Sequence, residues 1–172
     1  MRIVGKIAVF LGILVVMSSC FKEPDFSFTP EISFDSINSV VRLDPFIGAT
    51  KDSVIITIKF KDGDGDLGVN LGEDQIDTVG GKTDFNYLLT NFRKVNGSFL
   101  KFESSEVSSG YFPKLLYEEK PGAIEGKLNY SYDFIHAFTP KLDTLKFEVQ
   151  IKDRAGNFSN VIETDEIVLN RL

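Results

Sequence analysis

Three aspartates separated by glycines, Asp62, Asp64 and Asp66 in the stretch KDGDGDLG (residues 61–68), are the side chains of this sequence best placed to do chemistry. Like charges this close repel one another unless solvent or a cation compensates. Hard oxygen ligands on a chain that can bend tightly are what calcium takes. Counted from Asp62, the calcium-loop template of helix–loop–helix proteins puts its first three oxygen ligands on these aspartates and its last on Glu73. Its required glycine falls instead on Leu67, with Gly68 one residue late, and no helical pattern precedes the loop. Two readings remain: a strand loop that holds calcium, and a solvated turn at the end of a strand.

Other chemistry finds little to work with. His136 is the only histidine and Cys20 the only cysteine, so zinc and iron–sulfur sites lack ligands and no internal disulfide can form. No phosphate-binding loop or dinucleotide fingerprint occurs, because GDGDLG opens no helix. Adjacent aspartates on a glycine loop are also poor material for the fixed carboxylate separation that glycoside hydrolysis needs. The expectation is a protein that is not an enzyme.

The elements that must hold the aspartates read as strands. Val54, Ile56, Ile58 and Phe60 alternate with a mixed face and lead directly into the acidic loop. Leu145, Phe147, Val149 and Ile151 give a second clean alternation, followed by the tight turn DRAGN (residues 153–157). Between them, Asn96-Gly97 joins two apolar runs, the strongest short-range hairpin signal in the chain. Phe99 and Phe102 break the alternation and predict a bulge in the second arm. Residues 32–34 and 40–43 predict two short strands, 123–135 a long one with a close backbone approach at Gly126, and 161–169 the closing strand. Residues 111–117 fit a short helix or an extended loop. Sixteen phenylalanines with no tryptophan, and no helical crossovers, indicate one all-β sandwich over residues 31–172.

If the strands before the two loops run the same way in facing sheets, both loops emerge at one end. Asp153, Asn157 and Asn160 then come within reach of Asp62, Asp64 and Asp66, and the two loops share one calcium. The competing reading is that Asp153 and Asn157 cap only their own turn.

The N-terminus has Arg2 and Lys6 before a short apolar core at residues 7–17, too short to span a bilayer. The sequence Val16-Met17-Ser18-Ser19-Cys20 resembles the lipobox of bacterial lipoproteins. That resemblance implies a signal peptide at residues 1–19, cleavage before Cys20, acylation of its thiol and amine, and a lipidated tether at residues 20–30. Acyl chains at about 0.8 kcal/mol per buried CH₂ would hold such a chain on a membrane. The net charge of −6 becomes −8 without Arg2 and Lys6, which argues against nucleic acid and against an anionic bilayer surface as partners and suits calcium and basic or neutral ligands. Lys22-Glu23-Pro24-Asp25 resembles, in part, the surface-export signal of Bacteroidetes lipoproteins.

IKFKDGDGDLG, AIEGKLNYSYDF and LKFEVQIKDRAGNFSN together resemble Bacteroidetes cell-envelope lipoproteins with an immunoglobulin-like domain. The last segment by itself is similar to the F–G hairpin of bacterial immunoglobulin-like and fibronectin III-like modules. The resemblance implies an outer-membrane protein on the periplasmic or outer face, acting by binding, scaffolding or adhesion toward an envelope protein or glycan. The alternative is a carbohydrate-binding or glycan-processing accessory protein, which an exposed row of Tyr87, Tyr111, Tyr117 or Tyr132 would favour. Four Asp-(Ser/Thr)-aliphatic tripeptides resemble Bacteroidetes O-glycosylation acceptors, at Ser36, Ser53, Thr78 and Thr144.

Overall fold

The computed structural model describes residues 24–70, 78–79, 82–103, 107–116 and 121–171. The segment expected to be a signal peptide, Cys20, Glu73 and Tyr117 lie outside them. The strands in chain order are β1 (Glu31–Leu43), β2 (Thr50–Asp62), β3 (Thr78–Val79), β4 (Lys82–Thr83), β5 (Tyr87–Val95), β6 (Ser98–Phe102), β7 (Ile124–Ile135), β8 (Asp143–Ile151), β9 (Ile162–Glu163) and β10 (Ile167–Leu169). One turn of 3₁₀-helix, His136–Phe138, follows β7. Among the described residues no helix is long and apolar enough to cross a membrane.

Two antiparallel sheets make the body, one in the order β1-β2-β7 and the other β10-β8-β5-β6 with β9 beside β8; β3 and β4 form a small separate hairpin. The alternating residues seen in sequence are the inner faces. Val54, Ile56, Ile58 and Phe60 of β2 meet Leu145, Phe147, Val149 and Ile151 of β8 in one buried cluster. Each such side chain contributes roughly 1.5–3 kcal/mol by leaving water. The rings of Tyr87 and Tyr130 stack across the sheets at 4.0 Å, and Phe134 packs on Phe147 at 6.1 Å. Gly126 pairs with Phe60, and a Cβ there would stand 3.1 Å from the Phe60 ring, which accounts for the glycine in a long strand.

Several elements differ from expectation. The two short strands before residue 44 are one strand, β1, kept continuous through a register shift between Phe34 and Ser36. That irregularity hides its alternation. The β5–β6 hairpin turns on Asn96 (φ 50°) and Gly97 (φ 85°), as its sequence requires, but the register from Asn91↔Phe102 to Val95↔Ser98 is regular and carries no bulge. Of the two forms left open for residues 111–117, the described part, 111–116, takes the extended one, with Phe112 buried and Val69 bridged to Pro113. The closing strand is two pieces, because at Thr164 the side-chain hydroxyl accepts from the Phe147 N–H in place of a backbone carbonyl.

Candidate metal centre

The inward face of β2 reads Asp52, Val54, Ile56, Ile58, Phe60, Asp62, so the apolar stripe ends in a buried aspartate at each end. Asp62 is the last residue of the strand and 0% exposed. The chain then turns back over itself. Gly65 (φ 72°) allows the reversal, and a Cβ there would meet the Gly122 carbonyl at 2.6 Å. Asp62 Oδ2 accepts the Asp66 N–H at 3.1 Å, closing the turn. One carboxylate oxygen each from Asp62, Asp64 and Asp66 lies within 4.8 Å of the others. Two oxygens bound to one calcium at 2.3–2.6 Å can stand up to about 5 Å apart, so this spacing allows a shared ion.

The strongest feature is what these oxygens lack. Oδ1 of Asp62, of Asp64 and of Asp66 are all buried with no hydrogen-bond partner. A buried acceptor without a donor costs about 1–3 kcal/mol, and more if charged. Burial first, then the charges of Asp64 and Asp66, push the Asp62 carboxyl from 3.8 up to about 7. Burial, then Asp153 and Asp64, raise Asp66 as well. The Arg154 charge offsets this only in part at Asp66, and its guanidinium donates to the carbonyls of Gly68 (3.1 Å) and Leu67 (3.4 Å).

The two loops do meet. Backbone N–H groups of the 153–157 turn reach the acidic loop, Ala155 to Asp66 Oδ2 at 3.0 Å and Arg154 to the Asp66 carbonyl at 3.3 Å. The side chains of Asp153 and Asn157 are otherwise engaged. Asp153 Oδ1 accepts the Asn157 N–H at 2.7 Å and Oδ2 the Asn157 amide at 2.8 Å. They close their own turn, and the carboxylates that converge within 4.8 Å among the described residues are those of Asp62, Asp64 and Asp66. Asn160 is turned away, bonding both the N–H and the carbonyl of Ile32 at 2.9 Å. The segment before β1 crosses the loop as a strap, the Gly63 N–H donating to Ser27 at 2.8 Å; a Cβ at Gly63 would collide with the strap backbone.

The opposite end of β2 holds a cluster that the sequence reading missed. Asp52, 3% exposed, accepts from Ser39 Oγ (2.8 Å) and the Asn170 N–H (2.7 Å), and His136 Nε2 stands 2.8 Å from its Oδ2. Burial works against this carboxylate, but those hydrogen bonds outweigh it and hold Asp52 below the ordinary value. The available signal was parity: Asp52 shares the face of Val54 and Ile56, and a charge there must find partners. The serine and the ring both address the aspartate, so His136 does not activate Ser39.

No family model matches this chain, and neither a curated protein nor a solved structure is significantly similar to it. The remaining predicted positions divide by exposure. Ser53 is 3% exposed and its hydroxyl donates to Asp133 at 2.6 Å, so in the folded protein it is closed to a glycosyltransferase, a correction to its reading as an acceptor. Ser36 and Thr144 are half-buried on β1 and β8, and Thr78 lies in β3. Tyr87 is fully buried and Tyr111 and Tyr132 half-buried, so no exposed tyrosine row forms among the described residues.

Proposed function

We propose that this chain is a non-catalytic, membrane-anchored module of the cell envelope that binds or spaces a protein or glycan partner, with its acidic end clamped by calcium. The observation that carries the clamp is the trio of buried, unpartnered oxygens on Asp62, Asp64 and Asp66, the first on a fully buried residue. A cation with six to eight oxygen ligands would satisfy all three and draw the rest from backbone carbonyls and water. The strand order supports an immunoglobulin-like sandwich of the fibronectin III type. With β1, β2 and β7 as A, B and E, the facing sheet β10-β8-β5-β6 corresponds to G-F-C-C′. The anchor rests on the lipobox resemblance around Cys20, and the non-catalytic reading on a histidine and a serine that both serve one structural aspartate.

Calcium titration of the protein by calorimetry, with thermal melts in parallel, is the test. At a hundredfold excess over the dissociation constant, calcium is expected to add about 2.7 kcal/mol, or about 5–10 °C in melting temperature. No heat of binding and no change in the melt at millimolar calcium would remove the clamp.

A further inference from the structure

The end of the sandwich far from the acidic loop carries apolar side chains on two separate tips. Leu43, Phe46 and Ile47 stand at the β1–β2 hairpin, with Phe46 95% exposed. Phe138 (77%) and Leu142 (64%) stand on the connection between β7 and β8. The two tips are neighbours, because Lys51 beside the hairpin pairs with Ile135, the residue before the 3₁₀ turn.

Neither tip is a loose loop. Asp44 Oδ1 accepts the N–H groups of Phe46 (2.9 Å) and Ile47 (3.3 Å), and the backbone of Asp44 bonds both Ala49 and Gly48. On the second tip, Thr139 Oγ1 donates to Ile135, Asn170 Nδ2 to the Thr139 carbonyl at 2.7 Å, and the Leu142 N–H to Asn170. Leu142 is held at φ 54°, a conformation that non-glycine residues adopt at a cost. Backbone polar groups satisfied from within, with large apolar side chains held outward, are what a segment needs in order to enter hydrocarbon.

The charge around the tips is also unlike the rest of the chain. Arg42, Lys141 and Arg171 are exposed; against them Asp44 and Asp133 share the single Lys51, with the Arg42 charge also acting on Asp133, while Asp143 pairs with Arg93, Glu166 with Lys94, and Asp52 with its buried partners. A chain of net charge −6 thus presents a positive rim around protruding Phe, Ile and Leu. We propose that this end docks on an anionic lipid surface, the tips entering the interface and Arg42, Lys141 and Arg171 facing phosphate headgroups. Protruding tips on two loops suit a deformable bilayer better than a flat, shape-matched protein face.

The chain has no tryptophan, so one placed at the tip reports on itself alone. Phe46→Trp in the full chain carrying Cys20→Ser, so that no acyl anchor brings the acidic end to lipid, is mixed with phosphatidylglycerol or phosphatidylcholine vesicles, with brominated acyl chains as quencher. Phe158→Trp, at the acidic end, is the control. The expected result is a blue shift and bromine quenching at position 46 on the anionic vesicles, weak on zwitterionic ones and absent at position 158. Lys141→Glu with Arg171→Glu should weaken the anionic response by at least about fivefold per charge removed. The proposal fails if position 46 stays water-exposed on anionic vesicles that sediment with the protein. It fails equally if position 158 responds as strongly, or if both vesicle types act alike and the charge reversals change nothing. A blue shift that appears without lipid and grows with protein concentration would assign the surface to a second copy of the chain instead.

Discussion

Asp52 and Asp62 occupy the two ends of the same inward face of β2, and both are essentially inaccessible. Asp52 has three protein partners and is held ionised. Asp62 has a free oxygen, two carboxylates for neighbours and a value pushed up to about 7. Burial is shared, so burial is not what distinguishes them. The difference is whether the protein itself supplies the countercharge and donors. It does so at Asp52, which makes that end structural. At Asp62 it supplies neither, and the proposed calcium clamp rests on that lack.

The comparison can be broken from either side. Asp52→Ala should be the most damaging change, costing about 3–5 kcal/mol by stranding the Asn170 N–H, Ser39 and His136 around an empty site. Urea unfolding would read it, with the calcium response of the surviving folded fraction unchanged. Asp62→Asn should act in the opposite direction without metal, raising stability by about 2 kcal/mol in chelator because a buried repulsive charge is gone. In calcium it should lose the metal-dependent rise in the melt. If both substitutions destabilise alike in chelator, the two ends are not different in kind.

The pH dependence follows from the same pair. The folded value of Asp62 is raised from 3.8 to about 7, so the folded metal-free protein keeps a proton that the unfolded chain releases. Stability should therefore fall as pH rises from about 4 to about 7. Asp52 is lowered, so its contribution is present above 3.8 and is lost as pH falls through its depressed folded value. Melts in chelator should peak at about pH 4–5, and saturating calcium, which binds the ionised carboxylates, should flatten the neutral side. The smallest effect is expected for Asn157→Ala, about 1 kcal/mol from opening the Asp153 turn, with calcium affinity nearly unchanged. A tenfold loss of affinity in calorimetry would make Asn157 a ligand and enlarge the acidic end by one loop.

Much of this was legible where structure is local. The alternations at residues 54–60 and 145–151 became the two facing inner strands, and Asn96-Gly97 became a hairpin turn with both residues at positive φ. Strand direction alone brought the acidic loop to the 153–157 turn. What stayed hidden depends on distant partners. The Asp52 cluster gathers residues 39, 136 and 170, no two of which share a local pattern. The break at Thr164 depends on a hydroxyl standing in for a peptide carbonyl, which composition does not announce. The hydrogen bonds that turn Asp153 toward Asn157 are ones that either reading of this turn allowed.

The strap has a mechanical consequence. Residues 24–30 enter β1 across the acidic loop, with Ser27 bonded to Gly63, while Arg171 lies at the opposite end of the sandwich beside Asn170. Tension between those ends runs along β1, parallel to β2. The ladder from Glu31↔Lys61 to Leu43↔Thr50 is then loaded in shear, its rungs sharing the force instead of opening one by one. The irregularity between Phe34 and Ser36 is where that ladder would first yield. The three aspartates sit where the pull enters the domain, so an ion bound there would stiffen the point of attachment before any strand was strained.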